Sequence, residues 1–162
     1  MIVRDAVAAD AAAIAAYWNP QIRDTAITFT TVEKDAPGLV AEIAGARDAG
    51  YPFLVACEGD AVLGHASYRP FRAGPGYAFT VEHTVIVAPD VWGKGAAQAL
   101  MTLLEERARS GGIHSMIAGI SHENPRAVTF HQKLGYDIVG TVPEAGYKFD
   151  RWMDLVLMQK LL

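Results

Sequence analysis

Short apolar runs alternate along the chain with longer stretches of helical periodicity, and Gly, Pro, Asn and Asp punctuate the joins. Ile2–Arg4 reads as a strand. The Ala-rich stretch from Asp10 through Tyr17, with Asp as cap, reads as a helix continuing toward Arg23, which Asn19-Pro20 is expected to break or bend. Thr25–Thr31, rich in Thr, Ile and Phe, reads as extended. Asp35-Ala36-Pro37 then opens a second helix that Gly50 closes. Phe53–Glu58 and Ala61–Tyr68, joined by Gly59-Asp60, predict a β-hairpin.

Beyond a Gly/Pro-containing loop at Ala73–Tyr77 lies the strand Phe79–Val87, and Gly93-Lys94-Gly95 leads into a helix running to about Ser110. His114–Ile120 is a strand and Asn124–Leu134 a helix with Asn as cap and Pro125 at its first position; Tyr136–Val142 and Arg151–Gln159 are the last strands. The order β-α-α-β-β-β-α-β-α-β-β has no internal repeat, low-complexity tract or linker. It predicts one α/β or α+β domain spanning residues 1–162.

Composition narrows the function classes. An apolar fraction of 51% with 20% charged residues gives a chain of 162 residues enough material for one core and excludes general disorder. Lys plus Arg total 14 against 18 Asp plus Glu, a net charge of −4, so no global field favours nucleic acid or an anionic membrane. A phosphate-bearing ligand needs a local site. Cys57 is the single cysteine, which leaves no intrachain disulfide and no Cys-x-x-Cys metal or redox pair. Asp5 and Asp10 interrupt the N-terminal apolar stretch, against a secretory or membrane segment. A soluble cytoplasmic protein without a metal is the expectation.

Three places carry candidate chemistry. The strand ending at Val87, the loop with Pro89-Asp90 and the glycine-rich helix start would present free N–H groups at the positive end of a helix dipole, an anion site. A Walker loop is excluded, because Gly95 stands where Ser or Thr should follow the lysine and position 88 is Ala; Gln98 breaks a dinucleotide fingerprint. The other reading of these glycines is a sharp turn and tight packing. Next, Asn124 and His131 lie on one face of a helix at a spacing of seven, and each has a plainer reading, as an N-cap and as a surface residue. Finally, Glu82 sits mid-strand in an apolar run, where period two sends Glu82 and Thr84 to one face and His83 to the other. It is either a proton acceptor on a central strand or the partner of a nearby Arg69 or Arg72.

Together these residues resemble the GNAT N-acetyltransferase superfamily, whose acetyl-CoA loop pattern Arg/Gln-x-x-Gly-x-Gly/Ala aligns with Trp92-Gly93-Lys94-Gly95-Ala96-Ala97. Trp92 is a departure from that pattern. Asn124, Ala127 and Lys133-Leu134-Gly135-Tyr136 resemble the superfamily's second acetyl-CoA segment, with His131 where a Tyr often protonates the departing thiolate. Within the superfamily the chain is most similar to phosphinothricin and methionine sulfoximine N-acetyltransferases. The blocks that carry this include His65-Ala66-Ser67-Tyr68-Arg69-Pro70-Phe71-Arg72, Val81-Glu82-His83-Thr84-Val85 and Gly146-Tyr147-Lys148-Phe149-Asp150-Arg151-Trp152.

The resemblance implies a mixed, mostly antiparallel sheet flanked by about four helices, and acetyl-CoA as co-substrate. Val85, Ile86, Val87, Gly93, Lys94, Gly95, Ala96, Ala97, Gln98, Asn124 and Lys133 are its expected contacts. It further implies direct transfer to the α-amino group of a small amino acid or analogue, with Glu82 as base and His131 or a water as acid. Arg72, Arg69, Tyr77 and Phe29 would line the acceptor site, Phe29 in the other subunit of a homodimer. A peptide N-terminus or polyamine acceptor, or a non-catalytic acetyl-CoA-binding regulator, are the alternatives.

Overall fold

The computed structural model describes residues Met1–Leu162. The strands β1 (Ile2–Asp5), β2 (Phe53–Glu58), β3 (Ala61–Pro70), β4 (Thr80–Val87), β5 (Ser115–Ser121), β6 (Asp137–Lys148) and β7 (Arg151–Leu161) form one sheet in the order β1-β2-β3-β4-β5-β7-β6. Neighbours are antiparallel except β4 and β5, which run parallel. Helices α1 (Ala11–Asp24), α2 (Ala36–Asp48), α3 (Ala96–Ser110) and α4 (Pro125–Lys133) complete the fold. The sheet is mixed and mostly antiparallel, as expected.

Alternation along the strands divides the interior into two cores. On one face Leu54, Ala56, Ala66, Val81, Met116, Ala118 and Met158 pack beneath Leu100, Met101 and Leu104 of α3. On the other, Phe53, Val55 and Cys57 pack beneath Ile14 and Ile22 of α1 and Leu39 and Ile43 of α2. Cys57 is 3% exposed and unpaired. Local signals set the helix starts: Asp35 accepts from the Gly38 N–H at 2.6 Å to cap α2, ahead of a proline in the first turn.

Two stretches differ from the sequence expectation. Helix α1 runs through Pro20 to Asp24, although proline withholds an N–H from the helical ladder. Burial of Gln21 and Ile22 beyond it, and a bond of 2.8 Å from Gln21 Nε2 to the Tyr17 carbonyl, keep the last turn helical. Residues 25–31 form a loop instead of a strand. Their anchor is distant: the buried Lys148 Nζ donates to the carbonyls of Ile22, Thr25 and Thr28 at 2.5, 2.7 and 2.9 Å. Burial pushes the Lys148 pKa down, yet three carbonyl acceptors need three N–H donors, which only the ammonium supplies. The cation also sits at the negative end of the α1 dipole.

Strand β6 extends past Val142 to Lys148. Register shifts at Ile138/Gly140 and Val142/Gly146 absorb Pro143, and the Asp154 carboxylate accepts from the Glu144 N–H at 2.9 Å.

Candidate active site

Strands β4 and β5 pair only from Thr80–His83 to Ser115–Ala118. Farther along, β4 stays with β3 as far as Val87, while β5 stays with β7 as far as Ser121. The parallel strands therefore part, leaving Val85 and Val87 with no β5 partner on the edge away from β3, whereas Ile86 turns its backbone groups toward His65 and the Val87 carbonyl accepts from Gln21 and Trp92. Helices α3 and α4 both begin beyond the carboxyl ends of these strands, so their N-termini border the same crevice.

At the start of α3, Gly93 and Gly95 have φ of +78° and +88°, which L side chains rarely adopt. Gly95 is the N-cap and offers no side chain, whereas α2 and α4 are capped by Asp35 and Asn124. The N–H groups of Gly93, Gly95, Ala96, Ala97 and Gln98 have no partner within the chain. Such an array, beside a Lys94 that has no carboxylate within 4.0 Å, suits a phosphate or diphosphate.

Glu82 lies where the parallel pairing ends, opposite Arg69 on β3 and Ile117 on β5. Its Oε1 is 2.8 Å from the point where a Cβ on Gly119 would stand, so the absent side chain on β5 gives the carboxylate its space. Directly opposed residues share a sheet face, yet neither Arg69 nor Arg72 forms an ion pair with Glu82. The pairing that would make this carboxylate structural is thus not formed. Arg72 stacks 5.3 Å above the Phe71 ring, which has Tyr77 as its other neighbour at 6.5 Å. This loop is closed at its base by the Phe71 N–H donating to the Thr80 carbonyl.

The other expected site residues make contacts within the chain or lie on α4. The His131 ring is 4% exposed, packed among His83, Phe130 and Tyr136. Its Nδ1 lies 2.8 Å from the Ala127 carbonyl, which can only accept, so Nδ1 carries the proton and a neutral ring leaves Nε2 to accept from His83 Nε2 at 3.0 Å. Both nitrogens are engaged and burial pushes its pKa down, an arrangement that favours a water over the ring as the donor to a departing thiolate. Period two had placed His83 on the face opposite Glu82; nothing in the spacing marked it as the partner of His131.

Asn124 Oδ1 accepts from the Ala127 N–H at 3.2 Å, so the capping reading holds for that atom. Lys133 closes the last turn of α4, about 13 Å along the axis from Asn124. Phe29 packs on Gly146 of its own chain, where a Cβ would collide with the ring. Gly146 opposes Met153, which alternates with Leu155 near Gly119, so Phe29 reaches the Glu82 face without a second subunit.

A crevice between splayed parallel strands, an uncapped glycine turn and a carboxylate at the fork define an acyl-transfer fold, and the profile of the acetyltransferase (GNAT) family matches residues 18–136. The chain belongs to this family and is an acetyltransferase. It is 40% identical to the L-amino acid N-acyltransferase of Escherichia coli strain K12, covering 98% of this chain and 92% of that protein. It is 39% identical to the L-methionine sulfoximine/L-methionine sulfone acetyltransferase of Pseudomonas paraeruginosa, over 97% and 92%. With the phosphinothricin N-acetyltransferase of Alcaligenes faecalis the identity is 34%, over 99% and 81%.

Among solved structures, an acetyltransferase from Salmonella typhimurium with its cofactor acetyl-CoA superposes with a TM-score of 0.95 at 37% identity, covering 100% of this chain and 94% of that one. The ribosomal-protein-alanine N-acetyltransferase from Brucella melitensis gives 0.96 at 34% identity, with both chains fully covered.

Proposed function

We propose that the chain transfers the acetyl group of acetyl-CoA directly to the α-amino group of a small amino acid or analogue, of the phosphinothricin or methionine sulfoximine type. The observation carrying this reading is an unpaired carboxylate, Glu82, with Arg69 opposite it on β3 and Arg72 in the loop that follows, both free of carboxylate partners. Arg72 and Arg69 hold the acceptor's carboxylate or phosphinate by paired hydrogen bonds, with Tyr77 and Phe29 as walls. Glu82 takes a proton from the ammonium, directly or through a water, because only the free amine is a nucleophile.

The amine nitrogen then bonds to the thioester carbon. The backbone N–H groups of Val85 and Val87, on the edge that β5 leaves, stabilise the charge developing on the carbonyl oxygen. The C–S bond breaks, the attacking nitrogen gives up its second proton to a water, and that water passes a proton to the thiolate in place of the enclosed His131. The amides of Gly93 and Gly95 through Gln98, with Lys94, bind the diphosphate.

A thiol-release assay across amines tests the acceptor. Amino acids with a free α-carboxylate or phosphinate are expected to exceed their decarboxylated amines by at least about tenfold in kcat/KM, the cost of removing a hydrogen-bonded charge. A preference for polyamines or for peptide N-termini overturns the assignment. The reading also includes a reducing cytoplasmic setting and a second copy of this chain against the edge strand β6. Exposed Ile138, Val139, Val142, Tyr147 and Trp152 around that edge and its hairpin support the contact. Sedimentation equilibrium is expected to give twice the chain mass; a monomer at micromolar concentration removes the dimer.

A further inference from the structure

Trp92 stands at the mouth of the crevice, just ahead of the glycine turn. Its indole N–H donates to the Val87 carbonyl at 3.3 Å, which fixes the ring against the end of β4, and the side chain is still 40% exposed. Across the opening, the Arg126 guanidinium lies 4.0 Å from the centre of that ring. Arg126 is the second residue of α4, so the pair connects the start of one bordering helix to the approach of the other.

The guanidinium has no carboxylate within 4.0 Å and gives no hydrogen bond to the chain. The exposed arginines Arg23, Arg47, Arg107 and Arg151 each have an acidic partner, and Arg126 shares its lack of one with Arg69 and Arg72 of the acceptor side. An arginine held over an indole face by its charge can keep its N–H donors free, and the indole that holds this one is the residue directly before Gly93.

We infer that Arg126, held in place by Trp92, is a phosphate-binding residue of the coenzyme A site. The loop pattern has Arg or Gln where this chain has Trp92. The tryptophan restores a cation to the loop by holding one that α4 supplies. The inference rests on the acetyl-CoA reading and concerns binding alone, so it is separable from the choice of acceptor. Coenzyme A carries two phosphate groupings, the diphosphate and the ribose 3′-phosphate, and both present the oxygen pairs that a guanidinium fork recognises.

Calorimetric titration of the full chain with CoA, dephospho-CoA and acetylpantetheine, at two salt concentrations, tests it. Arg126→Gln is expected to weaken CoA by about ten- to hundredfold and to reduce the salt dependence, with acetylpantetheine unaffected. Loss toward CoA alone assigns the contact to the 3′-phosphate; equal loss toward dephospho-CoA assigns it to the diphosphate. Trp92→Ala is expected to weaken CoA similarly, the double variant to be no worse than either single one, and Trp92→Phe to retain most of the affinity. Wild-type affinity in Arg126→Gln, or equal loss toward acetylpantetheine, overturns the inference. Absence of CoA binding by the wild-type chain overturns the acetyl-CoA reading itself.

Discussion

Glu82→Gln is expected to lower kcat by roughly a hundredfold or more, the usual scale for removing a general base, while the affinity for acetyl-CoA stays nearly unchanged. The substitution keeps the shape of the side chain and removes its ability to take a proton. Its effect on folding is expected to be small, because the carboxylate makes no ion pair in the fold. The diphosphate array belongs to the start of α3 and depends on Gly93 and Gly95. Full activity in Glu82→Gln would remove the base assignment.

Acid is expected to unfold the protein unusually steeply. His65 has no exposed surface, lies stacked on Phe53 and Trp18 and bonds the Tyr17 hydroxyl at 2.8 Å; burial lowers its pKa to about 3. Burial, followed by the facing His131, lowers His83 also to about 3. A depressed pKa means that the unfolded chain takes up protons below about 6.5 while the native one does not. The stability contributed by the neutral rings is therefore complete above that pH and lost as pH falls toward 3. Each ring adds a slope of about 1.4 kcal/mol per pH unit in that window. Urea unfolding from pH 7.5 to 4.5 checks this, and His65→Phe should remove one proton's share of the slope. A flat profile between about pH 7 and 5 would show that the rings do not carry it.

The readable parts of this protein were those encoded by near neighbours in the chain. The Gly59-Asp60 turn, the Asp35 and Asn124 caps and the period of two in Phe79–Val87 fix most element positions. The resemblance of whole blocks supplied the topology that such signals cannot. What escaped depends on residues far apart in sequence: His83 with His131, Lys148 with the end of α1, Phe29 with Gly146, Trp92 with Arg126. Pro20 illustrates the limit from the other side. Its local cost is real, and burial of the following turn outweighs it.

The position of Cys57 has a practical consequence for work at the bench. Because the native sulfur lies under α1 and α2, a colorimetric thiol reagent reads the released coenzyme with little background from the folded catalyst, even when enzyme and substrate are mixed in equal amounts. The same shielding makes a cysteine engineered on the surface the preferred point of attachment for a fluorophore or spin label, with the natural residue left in place.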